Sequence, residues 1–320
     1  MRPNEKGGMT AVLLACCAVG AVTIGMTLSL SSARLVTSGK APVSTVATEE
    51  YGRRLIAQTS EMLGPDVADP KMRFTTSRLA CASCHLAVGT EPGTLNLLQT
   101  TEHYPRFSAR VGLKTDVEDR VNECMQRSMN GKPLPRDSAE MIAMADYIRS
   151  LGGLKEAMGA AQRKAHEPVG FKTPNRAADL KGGKKVFDAR CAACHGSDGS
   201  GLRASANPIQ GYVFPPLWGP DSFNDGAGMH RVLTAARFVK ARMPLGNPNL
   251  SDDESFDVAA YLNSQPRPEM PNLEQDYPDR TAKPVDNSYG PFADKFPVMQ
   301  HRFGPFAPIE AFYKKLKTTK

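Results

Sequence analysis

Two copies of one five-residue pattern constrain this chain more than anything else in it: Cys81-Ala82-Ser83-Cys84-His85 and Cys191-Ala192-Ala193-Cys194-His195. Two cysteines at this separation reach the two vinyl-derived carbons of one haem as thioethers, and the histidine that follows can coordinate the iron. A Cys-x-x-Cys pair alone also serves as a redox dithiol or as half of a zinc site, but a histidine in the fifth position, seen twice, suits neither. The pattern predicts two covalently bound haem c groups, one on Cys81 and Cys84 and one on Cys191 and Cys194. His85 and His195 are the first axial ligands.

A chain of 320 residues suits two modest domains plus extensions. Apolar residues make up 41% of it and aromatics only 7%, which is enough for two small helical cores if each is filled by a buried macrocycle. The segment around each motif follows one plan. Glu49 to Met62 and Asp179 to Arg190 read as helices leading into the motifs. Ser138 to Leu151 and Asp252 to Ser264 read as closing helices, and Ala145-Asp146-Tyr147-Ile148-Arg149-Ser150 lines up with Ala259-Ala260-Tyr261-Leu262-Asn263-Ser264. In the first closing helix Ile142, Ala145 and Ile148 are expected on one face, against the haem edge. This weak internal repeat predicts an all-α chain of two tandem class I cytochrome c-like domains with an irregular C-terminal strap.

The expected organisation is residues 1–33 as an export signal or membrane anchor, 34–48 as a linker, and 49–154 as the first haem domain. A charged linker (155–178), the second haem domain (179–266) and a C-terminal extension (267–320) follow. Ala11 to Leu30 is uncharged and largely apolar, Arg2 and Lys6 precede it, and Ser31-Ser32-Ala33 offers small residues for cleavage. A periplasmic location is expected, with membrane contact only if the N-terminal helix is retained. Of the seven cysteines, Cys16 and Cys17 lie in this apolar run and Cys124 stands alone, so no disulfide framework remains to be assigned. The proline-rich stretch beyond Gln265 is expected to hold few regular elements, and its last residues, KKLKTTK, to fray. Lys and Arg number 40 against 33 Asp and Glu, which favours an anionic ligand or an acidic partner; no nucleic-acid partner is expected.

Each motif histidine fills one axial position, and the opposite one separates an electron carrier from a reactive centre. In the second domain Met243 stands immediately before Pro244, which holds it extended just after an expected helix from His230 to Arg242. It is the sixth-ligand candidate; His230 and Lys240 are rivals, whereas the protonated guanidinium of Arg242 offers no lone pair. In the first domain the equivalent stretch, Arg120 to Gly131, contains Cys124. A thiolate there would donate strongly to ferric iron, and Met125, Met129, Met144 and His103 are the alternatives. Arg120 and Arg127 flank Cys124 at helical spacing and Arg110 comes from the preceding loop, a set able to bind a small oxyanion beside the sulfur.

At these residues the chain resembles the TsdA-type thiosulfate dehydrogenases, dihaem cytochromes c that couple two thiosulfates into tetrathionate. The likeness runs over CASCH, YPRFSARVG, RVNECMQRSMNG, the CAACH segment with FPPLWGP, and the terminal YPDRTAKPVDNSYGPFADKFP and QHRFGPF. The resemblance implies His85/Cys124 ligation of an active-site haem, Arg110 and Arg120 lining the substrate site, and a His195/Met243 haem for electron transfer. Some members place a lysine before this methionine and exchange the two ligands with redox state; Arg242 here implies constant ligation. The implied partners are thiosulfate, tetrathionate and an electron-accepting cytochrome or similar carrier. A dihaem carrier without catalysis, a sulfur-oxidation cytochrome that loads a partner's cysteine, and a dihaem peroxidase are the competing readings.

Overall fold

The computed structural model describes residues 49–318. The expected export segment, its linker, Cys16 and Cys17 lie outside the described residues. The helices in chain order are α1 (Glu49–Ala57), α2 (Thr59–Leu63), α3 (Val117–Arg127), α4 (Ala139–Ala157), α5 (Ala160–Ala165), α6 (Leu180–Arg190), α7 (Ala192–His195), α8 (Val232–Arg242), α9 (Asp252–Ser264), α10 (Val298–Phe303) and α11 (Ala307–Thr318). Two small antiparallel ribbons complete the set: β1 (Arg106–Ser108) with β2 (Leu113–Thr115), and β3 (Leu202–Arg203) with β4 (Tyr212–Phe214).

The helices begin where the sequence supplies oxygen acceptors. The side chains of Asp116, Ser138, Asp179 and Ser251 accept from free backbone N–H groups at the starts of α3, α4, α6 and α9. Glu254 returns the bond to the Ser251 backbone N–H at 2.8 Å, a reciprocal cap.

The internal repeat is real at the level of packing. α1 crosses α4 and α6 crosses α9, and each crossing pivots on a glycine. A Cβ on Gly52 would collide with the Ala143 carbonyl and stand 2.9 Å from the Cβ of Tyr147; on Gly183 it would collide with the Asp257 carbonyl and stand 3.0 Å from the Cβ of Tyr261. Only a bare Cα lets the backbones approach this closely. The two tyrosines aligned from sequence therefore sit at the same place in both crossings.

The first core gathers Leu55, Ile56, Val121, Met125, Met144 and Ile148, and the second Phe187, Val239, Leu250 and Val258 with Trp218 and Tyr261 against them. Several expected elements differ in detail. The first helix breaks at Gln58 into α1 and α2. α8 begins at Val232, α4 runs on to Ala157, and the charged linker contains α5. Ile142 is 41% exposed whereas Ala145 and Ile148 are buried. Steps of three residues lag a full turn, so positions 142 and 148 stand about 120° apart on a helix of 3.6 residues per turn.

The C-terminal extension is less irregular than its prolines suggest. It ends in α10 and α11, and Phe303, Phe306, Ile309 and Tyr313 build a third core with Val232, Ala236 and Phe256. Most of KKLKTTK continues α11 rather than fraying, because the helix is anchored through buried Ile309 and Tyr313. His301 stacks on Phe292 at 3.7 Å and meets Asp294 at 3.0 Å, fixing the turn before α10.

Candidate active site

The two motif histidines are set in the same way. His85 Nδ1 donates to the Leu95 carbonyl at 2.7 Å, and His195 Nδ1 donates to the Pro215 carbonyl at 2.8 Å. A carbonyl only accepts, so Nδ1 carries the proton and Nε2 keeps its lone pair for a metal. Burial holds both imidazoles below their usual range, opposed at His85 by the Leu95 carbonyl and at His195 by the Pro215 carbonyl. They are therefore the neutral ligands that iron requires. Burial pushes the Cys81 thiol up to about 12 and the Cys84 and Cys191 thiols up to about 11. A setting that resists a thiolate suits an uncharged thioether, so the residues fit covalent haem at both motifs. Tyr147 closes the first proximal loop by donating to the Val88 carbonyl at 2.9 Å.

The distal sides differ. In the second domain Met243 leaves the end of α8 in extended backbone (φ −117°, ψ 142°) and packs in the core that contains Cys191, Trp218 and Tyr261. Its rivals are engaged elsewhere. His230 meets the Asp225 and Asn263 carbonyls at 2.8 and 3.3 Å, and Lys240 donates to the Leu250 carbonyl at 2.7 Å.

In the first domain Cys124 lies in the last turns of α3. Met125, Met129 and Met144 are packed into the core at 0–2% exposure, and His103 sits on the surface. The Cys124 thiol, one turn along from Arg120, is the main cause holding that guanidinium further into its protonated range than usual; burial opposes it and Glu123 adds to it. Arg120 also donates to Glu123 at 3.0 Å. Arg110, on the turn between β1 and β2, reaches the Gly226 carbonyl at 3.1 Å and Asp276 at 3.4 Å. Arg127, which helical spacing allows beside the sulfur, makes its hydrogen bonds elsewhere. It is buried and turned to the Gly226 carbonyl (3.1 Å) and Asp276 (2.7 Å).

Asp276 is thus the hub that sequence reasoning missed. It comes from the strap, spans two arginines of the first domain, and accepts from the Tyr289 hydroxyl at 2.5 Å. Its neighbour Tyr277 donates its backbone N–H to the Arg110 carbonyl at 2.7 Å and lies under the Arg110 guanidinium at 5.5 Å. Lys283 is buried nearby, donating to the Tyr289 and Pro291 carbonyls at 3.0 and 3.1 Å within a ring of Tyr277, Tyr289 and Phe292. Burial, with Arg280 next to it, lowers its pKa to about 8, Asp276 acting against this and Arg110 with it. Neither residue carries a local mark of chemistry in the sequence: Asp276 stands just before the YPDR stretch and Lys283 three residues after it.

Two haem-binding modules of one design, differing on their distal sides, define a dihaem c-type cytochrome. The SoxA/TsdA cytochrome c domain family matches residues 71–153 and the cytochrome c family matches residues 180–266. The thiosulfate dehydrogenase of Allochromatium vinosum is 40% identical over 223 residues, covering 68% of this chain and 77% of that one. The thiosulfate dehydrogenase of Stutzerimonas stutzeri is 37% identical over 228 residues, covering 70% of each. Among solved structures, the thiosulfate dehydrogenase TsdBA of Marichromatium purpuratum in its as-isolated form superposes with a TM-score of 0.61 at 30% identity. The match covers 70% of this chain and 47% of that longer one. The chain belongs to the TsdA-type thiosulfate dehydrogenases and carries two covalently bound haem c groups.

Proposed function

We propose that this protein oxidises thiosulfate, coupling two molecules into tetrathionate at the site formed by Cys124, Arg110 and Arg120. The observation that carries the reading is Arg120 and Cys124 on one face of α3, cation against thiol, beside the histidine-bearing loop of the first haem. His85 and Cys124 would hold the iron of the first haem, and His195 and Met243 that of the second. The haems supply a sink that takes up electrons singly and passes them on.

Arg110 and Arg120 hold the sulfonate oxygens of thiosulfate through charge-assisted hydrogen bonds and aim its outer sulfur at Cys124. Asp276 fixes the position of Arg110. A disulfide-type bond forms between the Cys124 sulfur and the outer sulfur as two electrons depart. The outer sulfur of a second thiosulfate then attacks the substrate-derived sulfur of that bond. Tetrathionate leaves and Cys124 is released as a thiolate. Two thiosulfate dianions thus give one tetrathionate dianion and two electrons, for which the second haem, held by His195 and Met243, would supply a way out to an external cytochrome or similar carrier. The same steps run backwards as tetrathionate reduction when the haem potentials favour it. The reaction takes place in the periplasm, after export directed by the N-terminal segment.

The test is the electron yield of purified holoprotein with excess artificial acceptor and no other protein. One electron per thiosulfate, with tetrathionate as product, is expected. A yield near zero overturns the reading in favour of a carrier or of a partner-dependent cytochrome.

A further inference from the structure

Five of the buried polar atoms without a partner among the described residues gather at one place. Thr94 Oγ1, Asn96 Oδ1, His166 Nδ1 and the Nε and Nη2 groups of Arg242 are all buried and unpaired. They belong to one spot in the fold. Asn96 Nδ2 donates to the carbonyls of Gly93 (2.5 Å) and His166 (3.0 Å), and Nη2 of Arg242 stands 3.1 Å from where a Cβ on Gly93 would lie, with the Glu167 carbonyl 3.7 Å from the same point. Arg242 arrives from the end of α8 in the second domain and is anchored on Glu91 of the first at 3.0 Å. Its side chain is only 13% exposed.

A guanidinium left with unmet N–H groups out of water is costly, and natural interiors satisfy such groups. Glu91 uses only Nη1. The unmet donors, the Nε and Nη2 groups of Arg242 and the Thr94 hydroxyl, match a carboxylate, whereas Asn96 Oδ1 only accepts and His166 Nδ1 serves either way. Thr94 and Asn96 flank Leu95, whose carbonyl orients His85, while Arg242 precedes Met243. The spot therefore touches the supports of both haems, and each haem c brings two propionate carboxylates.

We propose that Arg242 and Thr94, in a seam whose backbone Asn96 ties to the His166 carbonyl, grip a haem propionate carboxylate and lock the two domains together. A soluble oxyanion would satisfy the same donors. The enclosure of the spot between Glu91, the His166–Glu167 backbone and α8, together with its place behind both haem ligand sets, favours the propionate. Arg242 thereby acts on the redox properties of the haem it grips without touching substrate.

The experiment is spectropotentiometry of Arg242→Gln holoprotein, with two haems per chain verified by pyridine haemochrome. A downward shift in the potential of one haem is expected, since a cation stabilises the reduced, more negative form, and the haem that moves is the one whose carboxylate is held. Thr94→Val, which removes no charge, shifts the same haem less and serves if Arg242→Gln does not accumulate. In redox-difference infrared spectra, the stretching band assigned by 13C-labelling of the haem carboxylates shifts in the same variants. Neither haem moving in either variant overturns the proposal. A wild-type potential that follows sulfate concentration to saturation, and loses that dependence in Arg242→Gln, assigns the seam to a soluble anion and overturns the propionate.

Discussion

The two domains share the glycine-pivoted helix crossing, the tyrosine beside it and a histidine aimed by a loop carbonyl. They part company on the distal side. One presents Cys124 inside a helix, with Arg120 beside it and two further arginines held by the strap; the other presents Met243 just past a helix end, packed among aromatic rings. The proximal half of such a module attaches and orients the haem, and the distal half, free to vary without disturbing the crossing, decides what the module does.

The comparison breaks most completely at Cys124. Cys124→Gly should leave both haems attached but reduce thiosulfate turnover by roughly a thousandfold or more, as loss of a nucleophile does. Steady-state assay with haem quantitation checks this, and full activity with both haems present would contradict the contrast drawn here. Next comes Asp276→Asn, which keeps the side chain's shape and removes the charge shared by Arg110 and Arg127. The KM for thiosulfate should rise about tenfold, the size expected for losing one charged hydrogen bond, with the haem spectra unchanged.

The shared half is probed by Gly52→Ala and Gly183→Ala. Each should destabilise the holoprotein by about 1–3 kcal/mol through overpacking at the crossing, read as a fall in Tm. Equal effects would sharpen the claim that the crossings are equivalent. The smallest effect concerns Lys283. Its cation adds to the positive field around Arg110 below about pH 8 and is lost as pH rises through that value. The KM should therefore climb a few-fold above pH 8, and Lys283→Met should flatten that profile.

Much of this was legible beforehand because it is written in contiguous residues. The haem motifs, the start of the closing helix at Ser138 and the Met243-Pro244 corner each depend on neighbours in sequence. Cys124 and Arg120 were legible because one helical turn brings them together. What escaped depends on distant partners. Gly52 and Gly183 look like weak helix residues until Ala143 and Asp257 cross them. Asp276 and Lys283 acquire their partners only where the strap lies on the first domain. Arg127 was given the wrong neighbour because helical spacing sets direction but not which surface lies there. The terminal helices hid behind prolines, which delimit α10 and α11 rather than abolish them.

The strap gives the order of synthesis a chemical meaning. Asp276 is made after both haem motifs and after Cys124, yet it holds Arg110 and Arg127 of the first domain, and the α11 residues that seat the strap come later still. A nascent or clipped chain ending before residue 276 would contain every thiol and histidine of both motifs, together with Cys124, while lacking the acid that ties Arg110 and Arg127 to the strap. The arginine arrangement of the first domain is therefore complete only once the C-terminal strap has folded onto it.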